Sequence, residues 1–348
     1  MRAVIVGLER RWAALRWRLR RAAARPAFWG LLLGVALPAS ALLSAGAGAT
    51  RVPASQVLGA MLDPTHPFHA PLARVRLPRI VAAIEVGAAL AVAGALMQTA
   101  VRNPLADAGL LGVSAGAGLA AILLLALRPE AARWLPLAAF VGSMGAVAIL
   151  LGLAALAGAR ANALSLLLAG VALQAILFAG IAIVSFLYAD QAPAFLQFTV
   201  GSLAATGWRE VLWAFPALAL GLAGAFALVR PLDLLLFDDA SATSLGLSVD
   251  GVRLICAGLA ALLAGAAVAL GGLVGFVGLL VPNWMRLAVG SSHSRLLPLS
   301  ALAGALLTVV ADLVARTAVR PLELPVGAIL AIVGGPYFLF LLFRRIPA

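Results

Sequence analysis

Apolar residues run along this chain in ten long stretches, at 27–48, 80–100, 108–127, 135–157, 164–187, 208–229, 252–271, 274–290, 296–316 and 325–343. Each approaches the ~20 residues that carry a helix through the hydrocarbon core of a bilayer. The connections between them are mostly short. The pattern predicts an all-α polytopic membrane protein with ten transmembrane helices, formed by residues 27–348 and preceded by a separate segment at 1–26.

Two connections are too long to be plain turns. The first, at 49–79, holds Pro53, Pro64, Pro67, Pro71 and Pro78, with Arg74, Arg76 and Arg79 towards its end. The second, at 230–251, carries Asp233, Asp238 and Asp239 ahead of Gly246. Asp238 or Asp239 is suited to cap a short helix that Gly246 ends, since aspartate accepts from free N-terminal amides and glycine tolerates the left-handed C-terminal position. A short helix held in a loop is read here as a docking device.

Composition supports a lipid solvent. Hydrophobic residues make up 64% of the 348 and charged ones 11%, and the mean hydropathy is +1.09. A water-soluble domain of this size needs more polar surface. The net charge of +12 comes entirely from arginine, as there is no lysine. Eight arginines fall within the first 25 residues, with Trp12, Leu15 and Leu19 near one helical face. This reads as an amphipathic helix on the cytoplasmic leaflet. A signal peptide is the alternative, but the basic region is long and many spans follow. With that segment inside, ten spans return the C-terminus inside, leaving 16 arginines inside and 9 outside, as the positive-inside rule requires. The charge is thereby read as lipid attraction and topology control, not nucleic-acid binding.

Glycines such as Gly87, Gly94, Gly112, Gly116 and Gly118 sit within the apolar runs and let helices approach closely. The spacing of Gly87 and Gly94 recurs at Gly258 and Gly265, a hint of an inverted repeat. The lone Cys256 excludes an internal disulfide. Without lysine the chain cannot hold a phosphate-binding Gly-x-x-x-x-Gly-Lys-Ser/Thr loop, so any ATPase is another chain. His66, His69 and His293 form no metal-ligand pattern, and no catalytic set is visible. His66 and His69 are read as polar loop residues, with contact to an iron-containing substrate as the alternative. Glu85 and Asp312 lie near the outer ends of their spans. Asp312 and Arg316, four apart, read as a pair that satisfies itself; a proton relay is the rival reading.

Several segments, in order, resemble one family. They are Arg76-Leu-Pro-Arg79; Val86 through Gln98; Arg102-Asn-Pro-Leu-Ala-Asp-Ala-Gly-Leu-Leu-Gly-Val-Ser-Ala-Gly116; Leu166 through Leu173; and Val200-Gly-Ser-Leu203. Then follow Ala242-Thr-Ser-Leu-Gly246, Gly275 through Pro282, Arg295-Leu-Leu-Pro298, Ala311 through Arg316, and Glu323-Leu-Pro-Val-Gly327. Over roughly 50–345 the chain is similar to the FecCD/BtuC-type permeases, which import iron-siderophore complexes, haem and vitamin B12. Three departures stand out: Asn162, Ala163 and Leu164 where the B12 permease has short hydroxyl residues, Asn283 where many members have histidine, and Gly272-Leu-Val-Gly275 in place of Gly-Pro-Ile-Gly.

The resemblance implies a BtuC-like type II ABC importer fold. Two copies form a homodimer around one pathway in a bacterial inner membrane, with both termini cytoplasmic. Two ATPase subunits binding ATP and magnesium dock below, and a periplasmic substrate-binding protein docks above. Arg76, Arg79 and Arg316 match arginines that grip acidic residues of the binding protein. Asp233, Asp238, Asp239, Ala242, Leu245 and Gly246 fall within the coupling helices, at about 231–250, that seat in the ATPase. Asn103, Pro104 and Leu105 match one part of a cytoplasmic gate, and Asn162, Ala163, Leu164 and Ser165 the other. The chain itself is expected to bind no cofactor and to be no enzyme. Haem is the favoured cargo, moved by alternating access, with B12 or a ferric siderophore as alternatives. A proton-coupled secondary transporter and a purely structural membrane protein are the rival classes.

Overall fold

In the computed structural model, residues 26–48, 52–107, 109, 112–157, 163–319 and 322–343 are described. The expected basic surface helix before residue 26, and Arg344 and Arg345, lie outside the described residues. Among those described there is no strand. The helices are α1 (Pro26–Gly46), α2 (Ala54–Leu62), α3 (Leu77–Ala100), α4 (Val113–Leu127), α5 (Leu135–Ala157), α6 (Ala163–Leu187) and α7 (Ala192–Val200). They continue with α8 (Trp208–Ala227), α9 (Val229–Leu234), α10 (Asp239–Ser244), α11 (Val249–Gly271), α12 (Val277–Val289), α13 (His293–Thr317) and α14 (Val326–Phe343). Seven helical stretches are long and apolar enough to cross a membrane, and three shorter apolar ones, in α4, α12 and α14, make up the ten expected.

Helix α3 is the axis of the bundle. Ala89, Ala91, Val92, Ala93, Ala95 and Leu96 expose no surface, because α11, α12 and α13 all pack against it. The fit depends on small residues. A Cβ on Gly87 would collide with the Gly304 carbonyl of α13, and one on Gly94 with the Gly278 backbone of α12. In hydrocarbon, where no hydrophobic drive presses helices together, this backbone-to-backbone approach supplies the dispersion contact.

The neighbour relations occur twice. Helix α3 packs on α12 and α13 as α11 packs on α4 and α5; α4 packs on α5 and α6 as α12 packs on α13 and α14. Helices α3 and α11 run antiparallel, with Arg253 at the start of α11 donating to the Ala100 carbonyl at the end of α3 (3.1 Å). Gly265 touches the backbone of Phe140 on α5. Helices α4 and α12 both open on a left-handed residue, Gly112 (φ 80°) and Phe276 (φ 68°).

Two elements were not expected from the sequence. The connection at 49–79 holds α2, whose Val57 and Ala60 bury against Ala45, Leu72 and Ile80 while Leu58 and Leu62 stay exposed. Helix α7 lies in the connection between α6 and α8. Its end explains three of the glycine-bearing motifs: the Phe198 carbonyl accepts from Leu273 N (2.9 Å), and Gly201 O accepts from Gly327 N (3.1 Å). Gly272 and Gly327 have no room for a Cβ against Phe198 and Val200.

Replacing Gly94 with valine forces backbone from backbone and is expected to destabilise the bundle by about 1–3 kcal/mol or more. Gly34→Ala, at an α1 position with open space around it, is expected to leave stability unchanged. Thermal unfolding of the detergent-solubilised protein, followed by aggregation onset, separates the two.

Candidate functional site

Polar residues gather at the two ends of α3. At its start, the end that the arginine distribution assigns to the outside, Arg76, Arg79 and Arg316 come together from segments far apart in sequence. Arg79 donates through Nε to Asp312 Oδ1 (2.9 Å) and through Nη1 to Glu323 Oε2 (2.7 Å). Arg316 Nε lies 3.0 Å from Asp312 Oδ2, one turn away on α13. The expected i, i+4 pair is therefore present, and Asp312 bridges two arginines. Arg316 also donates to the Ala47 carbonyl (3.2 Å) and to the Ser44 hydroxyl. Arg76 donates to the Ala45 carbonyl (2.6 Å). Among the described residues, this cluster sets three guanidiniums beside the carboxylates of Asp312 and Glu323.

Each of the three arginines is only 6% exposed, because the carbonyls of Ser44, Ala45 and Ala47 and the carboxylates of Asp312 and Glu323 solvate them inside the protein. Arg74, two residues before Arg76, is exposed. His66 and His69 lie in the same connection. His69 Nδ1 contacts the Ala60 carbonyl (2.9 Å) and His66 Nδ1 accepts from Phe68 N (3.2 Å), so both rings serve local structure.

The opposite end holds the loop at 229–250, which forms two short helices, α9 and α10. Asp238 caps α10 by accepting from Ser241 N (3.0 Å), and Gly246, at φ 85°, follows its end, as the spacing predicts. The Ser241 hydrogen bonds hold the Asp238 carboxyl below its ordinary value of 3.8. A depressed folded-state value means that the cap is intact above the ordinary range and fails only as pH falls through the lowered value. Ala242 is fully buried, while Leu236, Phe237 and Leu245 are 51%, 54% and 61% exposed.

Both short helices are tied to the end of α3. From α9, Asp233 accepts from His293 N and lies 2.7 Å from His293 Nδ1; the other ring nitrogen of His293 lies 2.8 Å from Thr99 Oγ1. Burial tends to raise the Asp233 carboxyl, but hydrogen bonds from His293 outweigh it and hold the group below 3.8. From α10, Asp239 Oδ1 meets Arg102 Nη2 (2.7 Å) and Arg253 Nη2 (3.0 Å).

Arg102 adjoins the segment expected to gate the pathway. There Asn103 Oδ1 accepts from Leu105 N (3.0 Å), closing a tight turn, and Asn283 Nδ2 donates to the Pro104 carbonyl (2.8 Å). Asn283, noted in the sequence as a departure, thus supports this turn from α12. Pro282 cannot donate to the Gly278 carbonyl one turn back; Gln98 of α3 does so instead (2.9 Å) and accepts from Arg286. Of the second gate segment, Asn162 lies outside the described residues, and Ala163, Leu164 and Ser165 open α6. The tethers formed by Arg102, Arg253, His293 and Gln98 were not read from the sequence. The segments resembling the family included Arg102 and Gln98, and His293 was noted as a histidine, but no partner of any of them was indicated.

A model of the FecCD transport family matches residues 36–344. The chain belongs to this family of membrane permeases. It is 42% identical over 315 residues to the Fe(3+) dicitrate transport system permease protein FecD of Escherichia coli strain K12, covering 90% of this chain and 98% of that protein. It is 41% identical over 281 residues to the hemin transport system permease protein HmuU of Yersinia pestis, covering 78% and 82%. Among solved structures, an inward-facing metal-chelate type ABC transporter superposes with a TM-score of 0.79 at 27% identity, covering 92% of this chain and all of that one.

Removing Asp312 by Asp312→Ala leaves two buried guanidiniums without their shared carboxylate and is expected to cost about 3–5 kcal/mol. Glu323→Gln, at a side chain 46% exposed, is expected to cost less than about 1 kcal/mol. Thermal denaturation of the two variants in the same detergent checks the ordering.

Proposed function

We propose that two copies of this chain form the membrane pathway of an ATP-driven importer that carries iron chelates, with haem as cargo, across a bacterial inner membrane, the termini lying in the cytoplasm. The observation that carries the reading is the loop at 229–250. It is a capped helical projection outside the spans, with Leu236, Phe237 and Leu245 exposed and its polar side bound to the end of α3. An apolar tip on a rigid stalk, facing water, is the shape of a docking element rather than of a connection. It suits a cleft on a separate ATPase subunit, which must supply ATP hydrolysis and magnesium because this chain has no lysine for a phosphate-binding loop.

At the other end, the positive assembly of Arg76, Arg79 and Arg316, with Arg74 exposed beside it, favours an acidic partner. A periplasmic binding protein that delivers the cargo fits this role. Alternating access then needs no tight site in the permease, since capture occurs outside. The turn at Asn103, Pro104 and Leu105, with Asn162 and the start of α6 at Ala163, Leu164 and Ser165, serves as the cytoplasmic gate. Bilayer lipid surrounds the dimer, and nucleic acid has no role.

Haem is favoured by the recess of about 720 Å³ between α6 and α7, lined by Phe178, Ile181, Ala182, Ser185, Leu196 and Thr199. Its two hydroxyls donate to the backbone carbonyls of Ile181 and Leu196. The lining is apolar and its hydroxyl protons are already used, which suits a porphyrin better than a polyanion. Ferric dicitrate is the second reading, favoured by the relative that matches almost end to end.

The test is reconstitution of the chain with its ATPase in liposomes, with purified binding protein outside and haem, ferric dicitrate or vitamin B12 as parallel cargoes. ATP-dependent accumulation of haem is expected. Accumulation of ferric dicitrate or B12 alone would keep the importer and replace its cargo. Accumulation driven by a pH gradient without ATP would overturn the importer.

A further inference from the structure

Arg102 is held in a conformation that arginine rarely adopts. Its φ is 52°, in the left-handed region that costs a side chain with a Cβ about 1 kcal/mol or more. It lies directly before the Asn103-Pro104-Leu105 turn. Its guanidinium reaches across to the loop at 229–250 and takes three partners there: the Leu235 carbonyl (3.3 Å), the Phe237 carbonyl and Asp239 Oδ1 (2.7 Å). The two carbonyls belong to the segment joining α9 to α10, and the carboxylate opens α10. One planar group therefore grips both short helices from the residue that begins the gate turn.

Asp239 is also held by Arg253, which ties α10 to the start of α11 and, through the Ala100 carbonyl, to the end of α3. The two arginines differ in what they connect. Arg253 seats α10 on regular helix. Arg102 alone among the residues holding Asp239 lies in the irregular segment that leads into the gate turn. Loss of Arg102 leaves α10 seated through Arg253, while the gate turn keeps its own Asn103 closure and its bond from Asn283.

We infer that Arg102 is a positioning residue through which displacement of the 229–250 loop reaches the gate turn at 103–105. The inference rests on the importer reading above and adds to it the specific link between ATPase and gate. A guanidinium fork with three acceptors resists both stretching and rotation, so the turn follows the loop instead of lagging behind it. The left-handed backbone directs the side chain towards the loop while the chain turns away into Asn103.

The experiment uses the full permease–ATPase complex in liposomes and compares cargo moved per ATP hydrolysed. Arg102→Gly keeps the left-handed backbone without strain and removes only the fork. Arg253→Gln removes the other arm and serves as the control. Arg102→Gly is expected to assemble and hydrolyse ATP at close to the parent rate while its transport per ATP falls at least about ten-fold, within the usual range for coupling between sites. Arg253→Gln is expected to stay within about three-fold of the parent. Transport per ATP by Arg102→Gly within about two-fold of the parent would overturn the inference, as would equal uncoupling by Arg253→Gln. Failure of Arg102→Gly to assemble would assign Arg102 a purely structural role and also overturn it. Absence of ATP-dependent transport in the parent complex would overturn the importer reading and the link together.

Discussion

The structure rests on the close approach of helix backbones around α3. In lipid, apolar side chains gain nothing by leaving hydrocarbon for protein, so helix association relies on packing contact and internal hydrogen bonds. Gly87 against Gly304 and Gly94 against Gly278 leave no room for even one methyl group. This closeness fixes where α12 and α13 lie, and thereby brings Asp312 to Arg79 at one end and His293 to Thr99 at the other.

Close packing also creates polar demands, and neighbouring helices meet them. Pro282 deprives the Gly278 carbonyl of its usual donor, at the point where α12 presses on Gly94. Gln98, one turn further along α3, reaches that carbonyl. At the first turn of α3, burying three arginines is tolerated because the end of α1 and the residue after it offer the carbonyls of Ser44, Ala45 and Ala47 and α13 offers Asp312. A buried guanidinium short of partners is costly, so these residues impose register on the helices that solvate them.

What was legible in the sequence was local. Runs of apolar residues marked the seven long apolar helices and the three shorter ones, because each run lies within its own helix. The α10 helix was legible because its cap and stop, Asp238 and Gly246, lie eight residues apart. Helices α2 and α7 were not. Their apolar faces are short, and they are stabilised by residues elsewhere, Leu72 and Ile80 for one and the 272–274 turn for the other. Family resemblance drew Arg76, Arg79 and Arg316 together, but the burial of Arg79 and Arg316 depends on Asp312, 233 residues from Arg79. The role of Arg102 was hidden for the same reason: its acceptors lie more than 130 residues away, and no spacing rule links them.

The 24 residues of α3 make a rod of about 36 Å, roughly the thickness of the membrane it crosses. Its first turn holds the charge cluster on one face of the bilayer, and its last turn is fastened to both short helices on the other. A rod gripped at both tips has no slack in which to lose a push. Stiffness of a single helix, rather than a succession of loops, then joins the charge cluster at one tip to the two short helices at the other, as opposite ends of one lever.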